Sequence, residues 1–449
     1  MLSRYTNIWE GYTGKQRVTE MFEIFSRYWR VVLPVSGSLL LASLTGGLSG
    51  DLFNLLITRE LGWESSKLSI IYFLMLLSVP IQMLGPSLAR QAGYRKMMSI
   101  GVTLMLICLV IMLFAVWYPA SKFHQLFLLG MCAVVVEIAY SLSFGTVWSA
   151  WISEIVPREK RPGVMAITSI ISQCSMITAF AIQTVIFHGQ VSKTFYSALT
   201  IATIAYTISS LIAIRGLPTV EEMREESINL SSIFSSIFRD TKVLYANPQY
   251  RTLTLEASLQ LFVGVPLIAV FISQLIGTAP KFVALALLLK PVTSIFVMFF
   301  IARRGDRIEP IKSILISGSV VAVTLVGWLF LTLCASGNLN QVVRNTVPLL
   351  LVPLMFGAKA IYSVMVSHIT VDIMRKEHRL AFYTLTDILS SSSIQIVNSL
   401  GGLAITASIA SNYQFYGIPI PVTAWIIIGL LILLYLLSRY KRMRKAMLF

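Results

Sequence analysis

Apolar runs of about 20 residues, the length needed to cross a hydrocarbon core, recur along the chain. They lie near 33–58, 67–87, 97–117, 125–156, 163–187 and 195–214. A polar stretch from Arg215 to Tyr250 interrupts them, carrying Glu221, Glu222, Arg224, Glu225 and Glu226. Six further runs follow near 252–276, 281–302, 311–335, 346–374, 380–410 and 421–438. The pattern predicts an all-α membrane protein with 12 transmembrane helices in two sets of six. Residues 31–214 form the first set, 215–250 a linker, and 251–438 the second set. Residues 439–449 form a basic tail. Ahead of the first run, Val18, Met21, Phe22, Phe25, Tyr28 and Trp29 recur at helical spacing against Arg17, Glu20, Arg27 and Arg30. Residues 1–30 are therefore expected to form an amphipathic helix at the membrane interface, or a plain lead-in to the first span.

Two short motifs recur at one offset. Glu154-Ile-Val-Pro-Arg-Glu-Lys-Arg161 is echoed by Asp372-Ile-Met-Arg-Lys-Glu-His-Arg379, and Gly85 to Lys96 is echoed by Ala302 to Lys312. The spacing between acid and arginine is kept as well as the charge. Such a repeat points to two related, pseudo-symmetric six-helix halves.

Composition agrees with the pattern. The chain is 56% hydrophobic and 12% charged, with mean hydropathy +0.77, whereas soluble domains carry about 25% charged residues. Lipid is the expected solvent. A net charge of +16 could signal nucleic acid, but its placement says otherwise. Lys and Arg concentrate at the N-terminus, in the even-numbered loops, in the linker and in the tail at Arg439, Lys441, Arg442, Arg444 and Lys445. By the positive-inside rule both termini are cytoplasmic, and the charge serves topology and anionic lipid. The four cysteines, at 108, 132, 174 and 334, lie in apolar runs without metal-ligand spacing. The polar opening and the long first run argue against a cleavable signal peptide. No metal, cofactor or nucleic acid is expected.

Twelve spans in a six-plus-six repeat, both ends inside and a long central loop resemble the major facilitator superfamily (MFS). Its signature Gly-x-x-x-Asp-Arg-x-x-Gly-Arg-Lys is matched at Gly85, Arg90, Gly93, Arg95 and Lys96, with Ala89 in place of the acid. The echo keeps Asp306 and Arg307 but has Ala302 and Pro310 where the glycines would be. Glu154 to Gly163 resembles the family's Glu-x-x-Pro-x-x-x-Arg-x-Gly. Glu154 and Asp372 fall at the cytoplasmic C-termini of spans 4 and 10, where a negative charge opposes the helix dipole by roughly 0.3–1 kcal/mol. They need cationic partners. The resemblance implies an ion-pair gate on the cytoplasmic side from Arg90, Glu154, Arg161, Asp306, Arg307, Asp372 and Arg379, weakened in the first half by Ala89.

Ionisable groups inside the spans cost at least ~2.5 kcal/mol each at a helix centre and usually face a cavity or a partner. Asp51, Glu137, Lys290, Lys359 and Asp387 fall well inside their runs. Glu137, Tyr140, Phe144, Trp148 and Trp151 share one face of span 4, and Lys359 and Tyr362 share one of span 10. Glu256 is read as shallow, about one turn inside a span that starts at 252. The resemblance places spans 1, 4, 7 and 10 around a central cavity with a midplane site. The candidate substrate and proton site is then Asp51, Glu137, Tyr140, Trp148, Lys290, Lys359, Tyr362 and Asp387. Its acids would move a proton and its lysines would hold a carboxylate or phosphate. The alternatives are structural salt bridges such as Glu137 with Lys359, and plain packing for the aromatic stripe.

The functional expectation is a secondary active transporter working by alternating access and coupled to protons. Its substrate would be a small anionic or zwitterionic organic solute, and it would act as a monomer in a bacterial inner membrane. The alternative is a proton-driven multidrug or metabolite exporter. Residues 163–187 lack the Gly-Pro pair of superfamily drug antiporters, and two intramembrane lysines repel lipophilic cations. His124, His188, His368 and His378 pair with no nucleophile in a recognised pattern, so an enzyme is not expected. A sensor without turnover would leave the same trace in the sequence.

Overall fold

The structure is a computed structural model of the full chain. It describes residues 62–79, 93–117, 121–140, 245–304, 309–335, 339–373, 379–410, 414–415 and 418–448, with single positions elsewhere such as Asn54 and Thr58. The described helices are α1 Ser65–Met75, α2 Tyr94–Trp117, α3 Lys122–Tyr140, α4 Pro248–Leu259, the single turn α5 Ile268–Val270, α6 Pro280–Arg304, α7 Pro310–Ala335, α8 Gln341–Ile373, α9 Arg379–Ile409 and α10 Ile420–Leu448. Before α10 a two-stranded antiparallel ribbon pairs β1 Gln414–Phe415 with β2 Ile418–Pro419, in register Gln414 to Pro419. Six of the described helices are long and apolar enough to cross a membrane.

The apolar residues divide in a way only lipid explains. Phe114, Phe296 and Val323 are each about 70% exposed, on helices whose other faces form a continuous apolar core. Large exposed apolar surface of this extent is not maintained against water. The interior is built where α7 and α6 pack on α8, α2 on α3, α10 on α7, and α9 on α1. Trp328 of α7 is fully buried at its centre, edge-on to Phe271 with ring centroids 5.6 Å apart. A second cluster gathers Tyr250, Leu253, Ile311, Tyr362, Met365, Ile369, Tyr440 and Met443, joining α4, α7, α8 and α10 at one end of the bundle.

The α1–α9 contact is close because its residues are small. Ser399 Oγ donates to the Ser69 carbonyl at 2.7 Å, and Ser69 Oγ to the Ser65 carbonyl at 3.2 Å. A Cβ on Gly402 would lie 2.6 Å from the Ser65 carbonyl oxygen. Ser65 Oγ also donates to Gln274 Oε1 at 3.3 Å.

The run 252–276, expected to be one span, is broken. Its first part, α4, starts earlier, at Pro248, with Asn247 capping it by accepting from the Gln249 amide at 2.9 Å. Proline at the first helical position and asparagine before it are both favourable there. Regular helix stops at Leu259 and a 3₁₀ turn covers Gln260–Phe262. Leu267 takes a left-handed conformation with φ of 42°, and the chain re-enters helix through α5 and a π-helical stretch, Phe271–Leu275. Pro266 explains the break: it has no amide proton and forces Val265 away from helical geometry. A left-handed leucine costs of order 1–3 kcal/mol and persists only where packing over-determines it. Here Gly401 of α9 lies against Pro266, Gly402 against Leu267, and Gly429 of α10 against the Phe262 carbonyl. The last span, expected to end at 438, continues as helix to Leu448 and includes most of the basic tail.

Candidate functional site

The broken span borders a narrow crevice of about 10 Å³, lined by Glu256, Gln260, Val263, Val321, Lys359, Tyr362, Leu433 and Leu436. Each polar group is there for a local reason. Glu256 sits on α4 eight residues past Pro248, about 12 Å along the helix at ~1.5 Å per residue. It is only 1% exposed. Tyr362 of α8, 3% exposed, donates its hydroxyl to Glu256 Oε2 at 2.8 Å. The other carboxyl oxygen, Oε1, is buried with no hydrogen-bond partner among the described residues. Tyr440 of α10 meets the Tyr362 ring edge-on at 6.2 Å, and its own hydroxyl is buried without a hydrogen-bond partner among the described residues.

Lys359 lies one turn before Tyr362 on the same face of α8 and reaches the unwound segment. A Cβ on Gly264 would stand 3.0 Å from its Nζ. Glycine at 264 therefore leaves a seat for the ammonium against backbone. The Lys359 charge is attracted by Glu256 and repelled by Lys290. Lys290 of α6 holds its ammonium 4.4 Å from the Phe356 ring centre, a cation–π contact. Gln260, in the 3₁₀ turn, donates to Ser363 Oγ at 3.2 Å. Just below, Arg439 donates to Thr252 Oγ1 at 3.1 Å, tying α10 to the start of α4. The arrangement can hold an anionic group at the lysines and a proton at the acid, with helices from both sides of the chain break in contact with it.

Of the predicted site residues, the structure brings Lys359 and Tyr362 together and sets Lys290 within electrostatic reach. Glu137 and Tyr140 stand one turn apart near the end of α3, both half-buried, and do not line this crevice. Asp387 lies in α9, Asp372 in α8 and Arg379 at the start of α9, with their side chains outside the described residues; Asp51, Trp148, Arg90, Glu154, Arg161, Asp306 and Arg307 lie outside them altogether. The residue that sequence reasoning set aside is Glu256. The signal that would have found it is Asn247-Pro248, a helix-start pair that moves the start of the helix back from 252 and the acid inward.

The family profile for the Major Facilitator Superfamily matches residues 35–403. No curated protein matches the chain significantly. Solved structures similar in fold include a D-xylose–proton symporter, at 12% identity and TM-score 0.69 over 90% of this chain and 96% of that one. A second is the nucleoside transporter NupG, in a variant form, at 14% identity and TM-score 0.62 over 92% and 99%. A third is a bacterial homologue of the iron transporter ferroportin in an inward-facing state, at 14% identity and TM-score 0.63 over 93% and 99%. At these identities the likeness is one of fold. With the profile covering most of the chain and the apolar helices described above, the protein is a multi-pass integral membrane protein that belongs to the major facilitator superfamily.

Proposed function

We propose that the protein is a proton-coupled secondary transporter for a small anionic or zwitterionic organic solute. Its 12 spans form two six-helix halves, with both termini on the cytoplasmic face of a bacterial inner membrane, and it works as a monomer. The halves rock about a fixed site, and solute and proton act by binding the two states unequally. The observation that carries this reading is the crevice beside the broken span, where Lys359 stands with the buried Glu256 and Lys290 acts on Lys359 from outside the lining. An ammonium held against unwound backbone at membrane depth, with a second cation repelling it, is costly unless something anionic visits it, and discontinuous helices in transporters mark the binding region. Lys359 binds the solute's carboxylate or phosphate, Lys290 adds long-range attraction, and Tyr362 positions the acid. Asp51, Glu137, Tyr140, Trp148 and Asp387 complete the cavity wall. Arg90, Glu154, Arg161, Asp306, Arg307, Asp372 and Arg379 form the cytoplasmic gate.

The likeness to a D-xylose–proton symporter is compatible with proton coupling and says nothing of this solute's charge. The test is uptake by purified protein in liposomes with an inward proton gradient, across a panel of organic anions, amino acids, neutral sugars and nucleosides, and lipophilic cations. Gradient-driven uptake of an anion or zwitterion supports the reading. Proton-driven antiport of several unrelated lipophilic cations would replace it with a multidrug exporter.

A further inference from the structure

We propose that Glu256 is the proton-carrying group of the transport cycle, a deepening that rests on the proposed transport reading. The geometry of its carboxyl is the argument. Oε2 accepts from Tyr362 at 2.8 Å, while Oε1 of this crevice-lining residue is buried and has no hydrogen-bond partner among the described residues. A bare carboxylate oxygen out of water is among the more costly arrangements in a protein. A proton on Oε1 removes the charge and leaves an ordinary neutral carboxyl with one accepted hydrogen bond. Release of that proton, to water at the crevice mouth, leaves a carboxylate that needs a cation.

One cation is within reach of the same crevice. Lys359 is seated against the backbone at Gly264, not on Glu256, yet attracts it electrostatically. Moving the flexible end of its side chain from the Gly264 seat to Oε1 neutralises the carboxylate. A solute anion that holds Lys359 at its seat denies Glu256 that partner, so the bound solute keeps the proton on the acid. When the solute leaves, Lys359 turns to Glu256 and the proton is lost. Proton and solute then travel together because they are linked through one ammonium group, without touching each other. The groups around the acid fit this division. α8 presents Lys359 and Tyr362, and α10 presents Tyr440, whose hydroxyl takes no hydrogen bond. α6 presents Lys290 behind Lys359, and on α4 itself Arg251 is exposed to the outside of the bundle. α9, also packed on α4, carries Asp387.

The test has two arms. Infrared difference spectra of the full-length purified protein, titrated from about pH 5 to about pH 9, read the carbonyl stretch of a protonated carboxyl without any solute. The wild type is expected to show a titrating band that Glu256→Gln removes and Tyr362→Phe shifts in frequency. In liposomes, uptake by the wild type rises with an inward proton gradient; whatever uptake Glu256→Gln retains is expected to be the same with and without it. A titrating band that survives Glu256→Gln, or a gradient response that survives it and is lost in Glu137→Gln, overturns the assignment. If Glu256→Gln does not yield folded protein, Tyr362→Phe decides: an unshifted band overturns the proposal. A band assigned to Glu256 in a protein that transports no solute of the panel would sustain the proton site and refute the transport reading, which keeps the two failures apart.

Discussion

Adding one methyl group at Gly402 should disturb the contact between α1 and α9 more than any other single-atom change at that seam. The Cβ would stand 2.6 Å from the Ser65 carbonyl oxygen, where ordinary contact begins at 3.4 Å. The Ser69 hydroxyl stands closer still but can rotate; the carbonyl is backbone within a helix and cannot, so the two helices must part by roughly 0.8 Å. Overpacking of this kind costs about 1–3 kcal/mol. Parting also lengthens the Ser399–Ser69 hydrogen bond, now 2.7 Å, worth about 1 kcal/mol. At 1.4 kcal/mol per tenfold, the state with this end closed should lose roughly tenfold or more against a state with it open. α1 begins and α9 ends at this side, the opposite side from the basic start of α9, so on the proposed topology and mechanism the open state faces outward. Pulsed electron-spin distance measurement between labels at the exposed positions Lys67 and Ile409, with the native cysteines replaced, reads the change. Gly402→Ala should shift the distribution to longer distances, and Ser399→Ala, which removes only the hydrogen bond, should shift it less. An unchanged distribution in Gly402→Ala would refute the claim that this seam holds the closed state.

The remaining expectations concern single contacts. Arg444→Ala should lower thermal stability by no more than about 1 kcal/mol, because its bidentate pair with Glu309, at 2.6 and 2.9 Å, is 38% and 47% exposed on its two sides; a large loss in a melting assay would contradict this. Tyr440→Phe should leave melting unchanged or raise it slightly, since the hydroxyl it removes is buried without a partner. Trp328→Ala should cost about 3–5 kcal/mol or abolish folding, as it empties the centre of the apolar core and removes the edge contact with Phe271. Gly429→Ala should reduce transport more than stability, because its Cβ would stand 2.8 Å from the Phe262 carbonyl in the unwound segment. Equal losses in uptake and melting would show that the segment matters for folding alone.

The straight spans were legible, and the broken one was not. Runs expected near 281–302, 311–335 and 380–410 appear as α6 Pro280–Arg304, α7 Pro310–Ala335 and α9 Arg379–Ile409. Lipid requires unbroken apolar length, and charged flanks mark where it ends. The window 252–276 is just as apolar, so hydropathy alone reads through the break. Gly264 and Pro266 carry the signal, but their effect depends on Gly401, Gly402 and Gly429 arriving from α9 and α10, which no local pattern reveals. Lys359 and Tyr362, which line the crevice, stand out in the sequence because a charge at the middle of a span is conspicuous. Glu256 was missed because its depth depends on where α4 begins, and helix boundaries follow caps more closely than hydropathy. That Tyr362 donates to Glu256 is a tertiary fact outside the reach of spacing arguments. The ribbon at Gln414–Pro419 falls between the expected runs 380–410 and 421–438, and its only local signal is the turn-favouring glycine at 417.

The central claim is that Lys359, seated beside the broken span, binds the solute's anionic group. The most direct measurement is exchange of a labelled anion across liposomes containing purified protein, at equal pH on both sides, for wild type, Lys359→Arg and Lys359→Ala. With no gradient to drive it, exchange reports solute binding and the rocking of the halves alone. Saturable exchange in the wild type, partly kept by arginine and lost with alanine while the protein stays folded, is the result this account expects. Saturable exchange of the same anion by Lys359→Ala at the wild-type rate and half-saturation would contradict it and move the solute site away from the crevice.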